Sequence, residues 1–200
     1  MGKDKKRDAM RVDIVMPVEE GRYIPQEVLE GIIEQETPFR LWISTRFSDG
    51  QYADARNQVK QYGESELVLM LDNDIVMPSK GLEQMIEFLH THPDYGAIGL
   101  WKHSNLGQID ETFLHATHVD MSCVLFRKEI LDKIVFVDHN NAEKVGRKDL
   151  AGQCECANCC YDIRQMGLEI GFLPGVYAQH IHNPKAYKRL QYNIVVNNNI

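Results

Sequence analysis

The sequence predicts an α/β fold: one domain built on a Rossmann-like, mostly parallel sheet flanked by helices. Three observations carry this expectation. Short apolar runs alternate with amphipathic segments through the first half of the chain, the pattern of strand–helix–strand units. The length of 200 residues suits a single core rather than two independent domains. No internal repeat, linker or low-complexity tract divides the chain, apart from a polar "NNNI" end.

Each element has its own warrant. "RVDIVMPV" (11–18) is an apolar run interrupted by Pro17 and reads as a strand. "PQEVLEGIIEQE" (25–36) places Val28, Leu29, Ile32 and Ile33 on one helical face, with Pro25 suited to the first turn and Pro38 beyond the end. "FRLWIST" (39–45) is a second strand, and "YADARNQVKQYG" (52–63) a helix closed by Gly63. "LVLML" (67–71) is a third strand. "SKGLEQMIEFLHTH" (79–92) turns Leu82, Met85, Ile86 and Leu89 inward, with Ser79 expected as its N-cap. "YGAIGLW" (95–101) is a fourth strand, in which Trp101, like Trp42 in the second, is expected in the core. "VDMSCVLFRKEIL" (119–131) reads as a strand entering a short helix, and polar, glycine-containing 138–153 as a long mobile loop. "CANCCYDIRQM" is helical, Gly167 ends it, and "EIGFLPG" (169–175) is the last strand. The boundaries expected are a disordered head at 1–10, a domain over 11–184 and a tail over 185–200.

Composition narrows the function classes. The net charge is −7, so the chain is not built to bind a phosphate backbone, and no nucleic-acid partner is expected. No run approaches the ~18 apolar residues of a spanning helix, which leaves peripheral contact with a membrane surface open. The charged start lacks the apolar stretch of a secretion signal, so a cytoplasmic location with reduced thiols is expected for the five cysteines.

The chemistry gathers at "LVLMLDNDIVMP" (67–78). Charges at the end of a buried strand are costly unless compensated. In open parallel sheets, ligands bind at the carboxyl ends of strands, where Asp72, Asn73 and Asp74 fall. Alternate residues of an extended segment point the same way, so Asp72 and Asp74 can address one space. Two hard oxygen donors there suit Mg²⁺ or Mn²⁺ together with substrate phosphates. Helix capping is the plain alternative, but Pro78 separates the triplet from the following helix.

With its flanks, "ADARNQVKQYGESELVLMLDNDIVMP" resembles the nucleotide-sugar half of GT-A glycosyltransferases, family two above all. Ala55, Arg56 and Asn57 precede an Asp-x-Asp at the end of an apolar strand, as that family's helix and strand do. "HPDYGAIG", "VDMSCVLFRKEIL" and "ECANCCYDIRQMGLEIGFLPGVYAQHIHNP" resemble its later segments in order, over roughly 11 to 184. The resemblance implies a GT-A fold with a nucleotide-sugar half (11–101) and an acceptor half (102–184). It implies inverting transfer of a sugar from a nucleoside-diphosphate-sugar to an acceptor hydroxyl on a glycan, lipid or protein, assisted by Mn²⁺ or Mg²⁺. By position, Pro17, Val18 and Glu19 would border the nucleoside, and Arg56, Asn57, Asp72 and Asn73 the donor. Asp74, with Asp72 and His180, would hold the metal; Glu155 would be the base, with Asp149 and Asp162 in reserve.

Two departures stand out. Ser44 and Thr45 follow the second strand where the family carries a base-contacting Asp. Cys156 follows Glu155 where the family carries a second acid, so a nucleotide-sugar-binding protein without chemistry is a rival expectation. A cysteine-based zinc module is another, from Cys154, Cys156, Cys159 and Cys160, in which Cys156 and Cys159 have the two-residue gap of zinc ligands. Against the site readings stand ordinary ones: Arg56 as a solvated helix charge, His180 and His182 as exposed loop residues, Glu155 as a first-turn acid favoured by the helix dipole, and the cysteines as small core hydrophobes.

Overall fold

A computed structural model describes residues 12–48, 50–103, 118–181 and 196–197. The strands are β1 (Val12–Glu19), β2 (Phe39–Phe47), β3 (Leu67–Leu71), β4 (Ile75–Val76), β5 (Tyr95–His103), β6 (Cys123–Arg127), β7 (Glu169–His180) and β8 (Val196–Asn197). The helices are α1 (Gln26–Ile33), α2 (Tyr52–Val59), α3 (Gly81–Thr91), α4 (Lys128–Leu131) and α5 (Glu155–Gln165). They build one sheet in the order β4-β7-β5-β6-β3-β1-β2-β8. β1, β2, β3, β5 and β7 run one way; β6 and the two-residue β4 and β8 run against them. The sheet is thus mostly parallel, as the alternating pattern requires.

The pleat sorts side chains to two faces. From β1, Val12, Ile14, Met16 and Val18 pack with Val28 and Ile32 of α1 and Leu82, Met85 and Leu89 of α3. Val15 turns to the other face, with Val68 and Met70, Ala53 of α2, Ile130 and Leu131 of α4, and Cys159, Cys160 and Ile163 of α5. Trp42 and Trp101 pack against this second cluster, as their place in strands predicts. Helix α1 lies close on β4: a Cβ on Gly31 would come within 3.0 Å of the Met77 carbonyl oxygen. No helix among the described residues is long and apolar enough to cross a membrane.

Four expectations need correction. Ser79 does not cap α3. Lys80 takes the left-handed conformation (φ 61°) at the N-cap position and makes no side-chain cap bond. The cap comes from far along the chain: Gln35 Oε1 accepts the Leu82 N–H at 2.9 Å, while its Nε2 donates to the Gly31 and Pro78 carbonyls. Segment 138–153 is no loose loop. Asp138 and Asn141 are buried and hydrogen-bond the chain around them, Val137, Ala142 and Leu150 form a small core, and residues 148–150 form a 3₁₀ turn. β7 extends past Gly175 to His180, because β4 and the end of β5 offer it partners. The expected tail contributes β8, which pairs with Arg40 and Leu41 at the sheet edge.

Candidate functional site

The carboxyl ends of β1 and β3 and the first turn of α5 meet at one mouth. Asp72 leaves β3 with its N–H donated to the Ser122 carbonyl at 2.8 Å, so the triplet starts from a fixed backbone position. A cleft of about 90 Å³ opens there, lined by Pro17 and Glu19 of β1, Ala55 and Arg56 of α2, and the triplet Asp72, Asn73 and Asp74. Arg22, Phe47 and Tyr52 complete it, and reading the sequence did not single them out. Only their fold position marks them: Arg22 follows β1, Phe47 ends β2, and Tyr52 opens α2. Val18 is a core residue, since it sits between Pro17 and Glu19 on the opposite side of the strand.

Arg56 is the centre of the charge arrangement. Its side chain is only 5% exposed, and its guanidinium faces Asp72, with Nη1 2.9 Å from Oδ1 and Nη2 donating to Oδ2 at 3.2 Å. Its Nε is 3.7 Å from Glu155 Oε1, beyond hydrogen-bond length, and this buried N–H is unanswered. A buried donor without an acceptor costs about 1–3 kcal/mol. Burial works against the charge on Arg56, but the facing carboxylates of Asp72 and Glu155 outweigh it and raise its pKa further. Asp72 shifts the other way from a well-paired acid. Its burial outweighs Arg56 and, with Asp74 and Asp120 nearby, raises its pKa above the ordinary carboxylate value.

Asp74 and His180 form a second group at the same mouth. They are 106 residues apart, yet His180 Nε2 lies 3.0 Å from Asp74 Oδ2. The β4–β7 ladder pairs Ile75 with His180, and the Ile181 N–H donates to the Asp74 carbonyl at 2.8 Å. Asp74 is 41% exposed and so faces solvent. Neighbouring ligands of an octahedral ion bound at ~2.1 Å stand ~3.0 Å apart, and the Asp74–His180 separation matches that. A carboxylate oxygen and an imidazole nitrogen are donors that Mn²⁺ accepts. Asp74 and His180, hydrogen-bonded to each other here, are the residues that could hold a divalent ion, while the Asp72 carboxylate is engaged by Arg56.

The remaining candidates fall in other places. Asn57 gives both ends of its amide to the backbone of Phe136, at 2.8 and 2.9 Å, and so holds α2 to the chain after α4. Asn73 lines the cleft and donates to the Tyr23 carbonyl. Asp162 pairs with Arg147 at 3.3 Å, and exposed Asp149 lies 3.9 Å from the same guanidinium, so neither joins the Arg56 group. Asp120 does approach it: its Oδ1 accepts from Ser122 N and Oγ, and its charge acts on Asp72. Its sequence signal was an Asp two residues before a Ser, a turn motif too common to mark a site. His182 lies outside the described residues. Ser44 is buried in β2 beside Pro17, inside the sheet rather than after it.

The cysteines do not act as one group. Cys159 and Cys160 are core residues, and burial pushes the thiol pKa of each up. The Cys156–Cys159 zinc pairing is therefore overturned by depth: Cys159 is fully buried among Ile163 and its neighbours, while Cys156 is only partly buried at the edge of that cluster.

No protein-family model matches the chain, and no curated protein matches it in sequence. Solved structures do match in fold. A mannosyltransferase, PcManGT from Pyrobaculum calidifontis in complex with GDP-Man and Mn²⁺, superposes at a TM-score of 0.63 and 17% identity over 88% of this chain and 58% of its own. TarS 1-349 from S. aureus, in complex with UDP-GlcNAc, gives 0.58 and 15% over 87% and 60%. A197 from STIV gives 0.54 and 12% over 94% and 97%. The chain thus spans about three-fifths of the first two structures. At such identities the likeness is one of fold, and that fold is GT-A-like.

Proposed function

We propose that the chain transfers a sugar from a nucleoside-diphosphate-sugar to an acceptor hydroxyl, with inversion at the anomeric carbon, and that Asp74 and His180 hold the divalent metal. The carrying observation is Arg56, a buried cation set between Asp72 and Glu155 at the carboxyl end of β3, with neither Nε nor Nη1 in an aligned hydrogen bond. The pair lines a cleft that also carries Asp74, whose carboxylate meets His180. The GT-A-like fold agrees, since two of its matches were solved with GDP-Man or UDP-GlcNAc.

Each residue then has a task. Pro17 and Glu19 flank the nucleoside, and Asp72, held by Arg56, meets the donor from the floor of the cleft. The metal would supply positive charge to the leaving diphosphate. Glu155 Oε takes the acceptor hydroxyl proton, the freed oxygen attacks the anomeric carbon, and the carbon–oxygen electron pair leaves with the nucleoside diphosphate. Arg56, 3.7 Å away, positions Glu155 and balances its charge. The transition state is oxocarbenium-like, as in other glycosyl chemistry.

The test is donor turnover with GDP-mannose and UDP-GlcNAc as first probes. Release of nucleoside diphosphate should require Mn²⁺ or Mg²⁺ and should fall at least ~100-fold in Glu155→Gln, the scale of a lost general base. A second reading has a specific observation behind it. Cys156 replaces the family's second acid, and burial raises its thiol pKa well above the ordinary range, so it offers no base. If donor binds with metal but no sugar donor is turned over, the chain is a nucleotide-sugar-binding protein instead.

A further inference from the structure

We propose that His118, Cys154 and Cys156 form a second metal site, one for a thiophilic divalent cation such as Zn²⁺. Their ligand atoms lie within 4.8 Å of one another, and His118 Nε2 is 3.4 Å from Cys154 Sγ. Bonds of ~2.3 Å to sulfur and ~2.0 Å to nitrogen in a tetrahedron put S and N ~3.5 Å apart and two S atoms ~3.8 Å apart. The three side chains need close by no more than ~1 Å to meet that shape.

The local fold explains the convergence. Residues two apart within a helix point to different sides. Cys154 escapes this because it is the N-cap of α5, in extended conformation (ψ 158°), and its Sγ swings over the first turn to accept the Ala157 N–H. That movement brings it back towards Cys156. His118 is set against the pair by its neighbour Val119, whose N–H and carbonyl both bond Cys160 Sγ, at 3.3 and 3.6 Å. His118 and Cys154 are exposed, so a cation can enter from solvent and keep water as its fourth ligand.

Charge and softness suit the assignment. Binding releases two thiol protons to solvent, and two thiolates then neutralise the dication. Displacing the Cys156 proton is resisted by burial and by Glu155, and aided by Arg56. Glu155 lies between the two cysteines in sequence, with Oε1 3.6 Å from Cys156 Sγ, but faces Arg56. Two thiolates favour Zn²⁺, whereas the Asp74 carboxylate is a hard donor and His180 a borderline one, so the two sites differ in softness through their sulfur and oxygen donors. The proposal stands apart from sugar transfer, and its readout is spectroscopic.

The experiment is titration of the reduced, metal-free full chain with Co²⁺. One equivalent should produce thiolate-to-cobalt charge-transfer absorption and the visible bands of a tetrahedral ion, both bleached by equimolar Zn²⁺. Asp74→Ala and Cys159→Ala should retain them. His118→Ala and Cys154→Ser should each weaken Co²⁺ binding at least ~100-fold, the upper end of what outer-shell changes alone cost. Absence of the charge-transfer band would overturn the proposal. So would its survival at full affinity in His118→Ala, or its loss in Cys159→Ala with circular dichroism unchanged.

Discussion

Two carboxylate–arginine pairs sit at opposite ends of the same sheet, and they are built differently. At the amino end of β1, Asp13 is fully buried and every lone pair is answered. Arg40 Nε and Nη2 donate at 2.6 and 2.7 Å, the Glu64 and Ser65 N–H groups at 2.6 and 2.7 Å, and Trp42 Nε1 at 3.3 Å. Burial alone would raise the Asp13 pKa, but these donors outweigh it and hold the carboxyl below its ordinary value. At the carboxyl end, Asp72 has one partner, keeps 28% of its side chain open, and its pKa is raised. Arg40 reaches solvent and lies 5.6 Å over the Trp42 ring; Arg56 is buried with an N–H unmet. The closed pair holds strands together. The open pair presents part of the Asp72 carboxylate to the cleft, where a ligand can reach it.

Substitutions can break this contrast. Asp13→Ala should cost about 3 kcal/mol in urea unfolding, because it strands the partners of a buried pair. An equal loss in Asp72→Asn would show that the open pair is structural after all; about 1 kcal/mol is expected there. Asp74→Ala should lower kcat/KM with Mn²⁺ at least ~100-fold, or ~2.7 kcal/mol of transition-state stabilisation. Its unfolding free energy should stay within about 0.5 kcal/mol of the parent, as for exposed positions.

Acid titration sharpens the contrast through its sign. Asp13 has a folded pKa below its unfolded value, so its contribution is present above pH ~4 and lost as pH falls through the folded pKa. Asp72 has a folded pKa above its unfolded value, so its contribution is present below pH ~4 and lost as pH rises through the folded pKa. Unfolding free energies between pH 3 and 6 should therefore show the parent's advantage over Asp13→Asn shrinking on acidification. The advantage over Asp72→Asn should grow. Parallel slopes would erase the distinction. The smallest effect is expected for Asp162→Asn, which disturbs a part-exposed pair with Arg147. Stability should move by less than ~1 kcal/mol and turnover should hold; a 100-fold loss of turnover would move the base from Glu155 to Asp162.

What could be read in the sequence follows from range. Helical faces and strand runs are local: α3 and β3 lie within two residues of where periodicity puts them, and α1 starts within one and stops three residues early. The placing of Asp72 at a strand end is local too. The meeting of Asp74 and His180 is not, because it depends on the β4–β7 register. Gln35 capping α3 from 47 residues away has no sequence signature either. Asp13 looked like one polar residue in an apolar strand, and its importance appears only when Arg40 is seen as its register partner in β2. Segment 138–153 misled for a related reason. Asp138 and Asn141, polar residues expected to face water, turn inward to satisfy buried backbone.

The two-residue strand β4 has a consequence for the order in which the molecule acquires its parts. Asp74 gains His180 only through β7, 106 residues further along the chain. During synthesis, Arg56 and Asp72 can meet long before that strand leaves the ribosome, but Asp74 waits for it. A nascent or truncated chain that stops short of His180 should therefore carry the Arg56–Asp72 pair and lack the imidazole, so metal dependence becomes a report on whether synthesis passed β7.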